Sequence, residues 1–185
     1  MAERWPKVFR TRRGLDILIR PIQKADITRM VEFIGHLSPE TRYRRFHVPI
    51  PDPPHEELLR RIGETVDVPP GQGAALVALH GDQIVGSARF ACSPGAQEAE
   101  AAVVVRDDYQ GQGIGTCLLR ELAHIAWSQG IRVIYAYIQP DNERILRLIR
   151  RAQFPLRVQV DGGAMRVDVL LDEAAEDKTA YGENS

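Results

Sequence analysis

Cysteine is scarce in this sequence: Cys92 and Cys117 are the only two among 185 residues. Two thiols build neither a disulfide framework nor a thiolate zinc site. Their rarity fits a reducing compartment, and a cytoplasmic protein is the expectation. Long apolar runs are also missing, since no stretch approaches the ~20 residues of a membrane span. The opening MAERWPKVFRTRRGLD has basic residues but no apolar signal core. Charge of one sign is missing too. Lys plus Arg is 24 and Asp plus Glu is 25, for a net charge of −1. That balance excludes disorder driven by charge and argues against nucleic acid as a partner, which calls for a basic domain. His36, His47, His55, His80 and His124 lack ligand spacing, so no metal is expected.

What is present is an ordinary globular composition, 44% hydrophobic and 26% charged, at a length that suits one domain. The charge is sorted along the chain: residues 1–20 hold six basic against two acidic side chains, and residues 172–185 hold five acidic against one basic. The expected division is an N-terminal arm with a hairpin strand over 1–14, a single domain over 15–172, and an acidic tail over 173–185.

Hydrophobic periodicity supplies the elements. Lys7–Arg10 and Leu15–Arg20 flank Arg12, Arg13 and Gly14 as a hairpin, with Leu15, Ile17 and Ile19 on one face. Residues 24–37 carry Ile27, Met30, Val31, Ile34 and Leu37 at helical spacing. Ser38-Pro39-Glu40 reads as a helix start, opening a short basic helix to Phe46. The prolines of 48–56 and of 67–73 mark loops around a short helix over 56–62. Strands are expected over 74–80, 83–92 and 98–105, the first two joined by Gly81-Asp82. A helix follows over 113–129, with Ile114, Leu118, Leu122 and Ile125 inward, then a strand over 132–138. A helix over 142–152 and a closing hairpin of 156–160 with 165–171 complete the order. This is a mixed α/β sheet: an antiparallel meander runs into a βαβ unit, whose crossover helix makes strands 98–105 and 132–138 parallel.

The densest chemistry lies between the strand ending Val103-Val104-Val105 and the helix over 113–129. The segment is Gln110-Gly111-Gln112-Gly113-Ile114-Gly115-Thr116. Glycines at 111, 113 and 115 allow close backbone approach, and successive N–H groups at a helix start make an anion site suited to phosphate or pyrophosphate. A P-loop needs a lysine after its last glycine, and Thr116-Cys117 stands there instead. The dinucleotide fingerprint needs Gly-x-Gly-x-x-Gly after the first strand, and neither the spacing nor the place agrees.

Gln110-Gly111-Gln112-Gly113-Ile114-Gly115 resembles the pyrophosphate loop of the GNAT superfamily of acyl-CoA N-acyltransferases, and the element order is similar to that fold. Arg20-Pro21-Ile22 with Asp26, and Leu37-Ser38-Pro39-Glu40-Thr41-Arg42-Tyr43 with Arg45-Phe46, resemble the acetyltransferase domain of bacterial protein lysine acetyltransferases. Ala99-Glu100 and Asp141-Asn142 fit the same subgroup. The resemblance covers about residues 15–172. It implies a GNAT-like sheet with strands 98–105 and 132–138 splayed, acetyl-CoA as co-substrate, and an amine acceptor such as a lysine of an acyl-CoA synthetase.

The resemblance assigns Val103, Val104 and Val105 to the pantetheine arm, residues 110–116 to the pyrophosphate and Asn142 to the arm. Read alone, Asn142 is a helix N-cap. Glu100 matches the subgroup's catalytic glutamate and is the expected general base, its pKa raised by burial. Glu98 is the rival. The superfamily's tyrosine acid falls at position 149, which is Ile, and a family glycine is replaced by Gln153, so the resemblance assigns no general acid. Arg42, Arg44 and Arg45 read as a solvated helix face, or as a surface for an acidic protein or the 3′-phosphate of CoA. A small-molecule amine N-acetyltransferase and a non-catalytic acyl-CoA sensor stay open as other readings.

Overall fold

The structure is a computed structural model and describes residues 5–46, 55–69, 71–161 and 164–171. Strands β1 (Lys7–Arg10) and β2 (Asp16–Pro21) form the first hairpin. A 3-10 turn at Lys24–Asp26 leads into α1 (Ile27–Gly35), followed by α2 (Pro39–Phe46) and α3 (His55–Val66). Strands β3 (Gly73–His80), β4 (Gln83–Ala91) and β5 (Glu98–Val105) continue the meander. Then come α4 (Ile114–Ser128), β6 (Val133–Ile138), α5 (Glu143–Ala152), β7 (Leu156–Asp161) and β8 (Ala164–Leu170). The proline-rich loop at 48–54, the Gly162-Gly163 turn and the acidic tail lie outside the described residues.

The eight strands form one sheet in the order β1-β2-β3-β4-β5-β6-β8-β7. Every pair is antiparallel except β5 with β6, the pair that the α4 crossover requires to be parallel. Helices α4 and α5 cover one face. Ile114, Leu118, Leu122 and Ala126 pack there on Ile17, Ile19, Phe90 and Ile134, all essentially without solvent exposure. Helices α1 and α3 cover the first half of the other face, with Met30, Phe33, Ile34, Leu58 and Ile62 on Val77, Leu79 and Ile84. Ser38 caps α2 as its sequence suggests, its Oγ accepting from the Thr41 N–H at 3.2 Å.

Two ion pairs tie the elements together. Arg20 at the end of β2 grips Asp26 with two hydrogen bonds, 2.6 and 2.8 Å long, and the Gln23 N–H adds a third at 2.9 Å. Asp26 is fully buried. Lys7 of β1 reaches the buried Glu121 of α4 at 2.5 Å.

The hydrogen bonds from Arg20 hold the Asp26 carboxyl below the usual carboxylate range, against the opposing effect of burial. A depressed carboxyl stabilises the fold above its unfolded value, near 3.9, and that stability fades as pH falls towards the folded value. Replacing Asp26 by Asn removes one partner of a buried pair. Denaturant titration should show a loss of about 3 kcal/mol at neutral pH and a shallower decline in stability on acidification below pH 4.

Candidate functional site

Strands β5 and β6 are neighbours for only three residue pairs: Glu98 with Val133, Ala99 with Ile134 and Glu100 with Tyr135. Beyond them β5 follows β4 as far as Val105, and β6 follows β8 as far as Ile138. The strands part, and a cleft of about 740 Å³ opens between them, with Glu100 and Tyr135 at its vertex.

Main-chain groups of successive strand residues point to opposite edges. The Arg106 N–H donates to Val85 O at 2.9 Å, so Val105 and Val103 direct theirs into the cleft. Val104 turns its own to β4 and packs its side chain with the α1–α3 layer, which narrows the expectation for 103–105 to the outer two valines. Part of this edge is occupied. Gln110 Nε2 donates to Val105 O at 2.9 Å, and Arg144 of α5 donates to Gln110 Oε1 at 3.1 Å. Arg144 was not singled out in the sequence, where it reads as one more charge on an amphipathic helix.

The loop between β5 and α4 has the form an anion needs. The first bond leading into α4 runs from the Cys117 N–H to Gly113 O, and among the described residues the N–H groups of 111–116 meet no main-chain acceptor. Gly111 and Gly113 adopt positive φ, +76° and +96°. A Cβ on Gly111 would meet nothing within 4 Å, whereas one on Gly113 would sit 3.1 Å from the Phe9 ring. Ile114 turns its side chain into the core and leaves only its N–H for a ligand. Gln112 is buried too, its Nε2 donating to Asp108 O at 3.3 Å. Thr116 lines the cleft. Gly115 lines the cleft as well, and a Cβ there would collide with Leu148 Cδ1, so its missing side chain makes room for α5 against α4 while its N–H stays in the loop.

Asp107, just beyond β5, fixes the other rim. It accepts from the Ser38 N–H and Oγ, both at 2.9 Å, and from Thr41 Oγ1 at 2.7 Å. Burial pushes its pKa up, but the bonds from Ser38 and Thr41 prevail and hold the carboxyl below its ordinary value. This link joins α2 to the end of β5 across 69 residues of chain, a separation that hides it from pattern reading.

Glu100 is exposed at the vertex, contrary to the expectation of burial. Its rival Glu98 is engaged: Arg166 Nη2 donates to it at 2.8 Å while Arg166 Nε holds the buried Asp168 at 2.6 Å. The same guanidinium lies over the Tyr135 ring, 4.0 Å from its centre. Asn142 is the N-cap of α5, its Oδ1 accepting from the Ile145 N–H at 3.3 Å, and it also lines the cleft. Ile149 is buried and has no proton to give. Among the described residues no group of side chains could hold a metal ion, and no helix is long and apolar enough to cross a membrane.

Residues 16–155 match the family described as the acetyltransferase (GNAT) domain. The chain belongs to the GNAT acetyltransferase family. An acetyltransferase of Pseudomonas aeruginosa is 36% identical over 127 residues, 66% of each chain. The acetyltransferase Pat of Mycolicibacterium smegmatis is 31% identical over 149 residues, 79% of this chain and 43% of Pat. The matched part thus spans less than half of Pat and just under two thirds of the Pseudomonas relative. Among solved structures, the GNAT domain of S. lividans PAT superposes with a TM-score of 0.80 at 26% identity, covering 90% of this chain and 97% of that domain. The eight-stranded mixed sheet is thus a GNAT fold, with the one parallel pair at its cleft.

The Gly115 contact yields a test. Gly115→Ala should cost about 1–3 kcal/mol through crowding against Leu148. In a double-mutant cycle on the thermal or denaturant midpoint, Leu148→Ala should recover part of that loss, and strict additivity would show that the two residues do not compete for the same space.

Proposed function

We propose that this GNAT protein transfers an acetyl group from acetyl-CoA to an amine, a protein lysine such as one on an acyl-CoA synthetase, with Glu100 as general base. The observation that carries the proposal is the position of Glu100 at the vertex of the cleft, with hydrogen-bonding groups free for a ligand farther along it. The N–H groups of residues 111–116, uncommitted to main-chain acceptors and set at the positive end of α4, suit a pyrophosphate. The cleft edge of Val103 and Val105 suits the pantetheine arm. Acetyl-CoA, when bound, supplies the activated acyl group. The resemblance of Arg20-Pro21-Ile22 and of the Leu37–Phe46 segment to protein lysine acetyltransferases supports a protein lysine as acceptor, and the likeness to the acetyltransferase Pat and to the S. lividans PAT domain agrees with acetyl transfer.

The chemistry asked of the chain is limited and specific. A lysine amine is protonated at neutral pH, with a free pKa near 10.4, and cannot attack until that proton is removed. Glu100 is exposed, so an acceptor can reach it, and among the described residues it has no ion-pair partner to compete for the proton. Glu98 is held by Arg166 and is poorly placed for the same work. An N–H on the Val103–Val105 edge polarises the thioester carbonyl as charge develops on it. Position 149, where the resemblance places the superfamily's tyrosine acid, holds Ile and offers no proton, so the departing thiolate leaves unprotonated or takes its proton from water.

Glu100→Gln keeps the shape of the side chain and removes its basicity. Thiol release with an acyl-CoA synthetase as acceptor should fall by about 10²- to 10⁴-fold while the KM for acetyl-CoA holds. An unchanged rate would remove Glu100 from the mechanism. Tight CoA binding with no turnover on any protein or amine would replace the enzyme by an acyl-CoA sensor.

A further inference from the structure

On the acceptor side of the cleft the charges do not balance. In the β4–β5 register Arg89 lies opposite Ala102 and Ala91 lies opposite Glu100. Directly paired residues share a face, so Arg89 is the diagonal neighbour of Glu100 on the face away from α4. Arg45, in the last turn of α2, lines the same end of the cleft. Nearby charges are neutralised in place: Arg166 by Glu98 and Asp168, and Arg44 by Glu40 at 3.0 Å with Asp141 at 3.8 Å. Among the described residues Arg45 and Arg89 have no ion pair. Arg89 donates to Thr65 Oγ1 at 3.2 Å, and Arg45 rests on the ring of its neighbour Phe46.

Two guanidiniums therefore stand beside one carboxylate, and that carboxylate must stay available for proton transfer. Burial and the like charge of Arg89 together push the Arg45 pKa down to about 10, and Glu100 only partly opposes them. An arrangement that crowds like charge and leaves it unanswered gains when an anion arrives, and a guanidinium's planar fork suits a carboxylate. The floor around it is open. Tyr137 is 49% exposed, and among the described residues no helix covers β6 to β8 on this face, which suits a macromolecular surface.

We propose that Arg45 and Arg89 form an acceptor subsite for a carboxylate, so that the preferred substrate is a protein lysine with an Asp or Glu side chain close beside it. This rests on the acetyl transfer proposed above and specifies which lysines it serves.

The test uses the full chain, acetyl-CoA and lysine peptides alike except for the residues flanking the lysine: acidic, amide or basic. Acidic flanks should lower KM by about tenfold relative to amide flanks, the scale of one charge-assisted contact. Arg89→Glu, at an exposed position that should tolerate it, should reverse the order in favour of basic flanks. Anisotropy of the labelled acidic peptide gives a readout independent of turnover, with binding weakened by Arg89→Glu and by Arg45→Met. Equal KM across the three peptides, or a preference that Arg89→Glu leaves intact, overturns the subsite. A free amino acid outperforming every peptide overturns the macromolecular acceptor. Binding of the acidic peptide that depends on Arg89 but brings no acetylation supports the subsite and counts against the catalytic reading alone.

Discussion

The pairing of β5 with β6 stops after Glu100, and most of what is distinctive in this chain follows from that interruption. Strand main chain carries a donor and an acceptor at every residue, and leaving them unmatched inside a protein is costly. The parting is sustained because each strand keeps its other neighbour. β5 stays bonded to β4 through Val105, and β6 stays bonded to β8 through Ile138. Only the inner edges are released, and they are released together. The result is a slot with hydrogen-bonding walls, apolar residues from α4 and α5 behind it and an ionisable side chain where the walls meet.

The two sides of the sheet then take different duties. On the side of α4 the slot opens towards N–H groups at a helix start, where negative charge is favoured without any basic residue. On the side of α2 the charge is carried by side chains, and most of it is matched. A chain whose overall charge is −1 can thus hold a polyanion at one mouth and discriminate among acceptors at the other. The balance of the whole sequence argues against nucleic acid as a general partner while saying little about either mouth.

Periodicity made the sheet and its helices legible. The spacing of Ile114, Leu118 and Leu122 marked α4, and the run from Glu98 to Val105 before it marked a strand that the crossover had to make parallel. The glycine-rich loop was legible because three small residues between a strand and a helix have few other uses. What stayed hidden depends on partners far away in sequence. A period of two cannot say that β8 rather than β7 lies inside the closing hairpin. Glu98 and Glu100 share a face and look alike in the string Glu-Ala-Glu, and only the arrival of Arg166, 68 residues later, separates them. Gly115 looks like its neighbours in the loop, yet a side chain there would meet Leu148, 33 residues farther along the chain. The burial expected for Glu100 failed because burial is set by what lies overhead, and β6 to β8 have no helix there among the described residues.

The edge strand β1 has a larger part than its four residues suggest. Phe9 lies beneath Gly113, the Arg12 N–H meets Gln112 O at 3.4 Å, and Lys7 answers the buried Glu121 in α4. The first hairpin thus underpins the glycine-rich loop from below, although more than ninety residues of chain separate them. Side chains on a strand alternate faces, so a slip of β1 by one residue against β2 would carry Phe9 to the far side and bring the exposed Val8 under the loop. The register of an outermost strand, usually the most forgiving in a sheet, here helps to set the curvature of a loop some hundred residues farther along the chain.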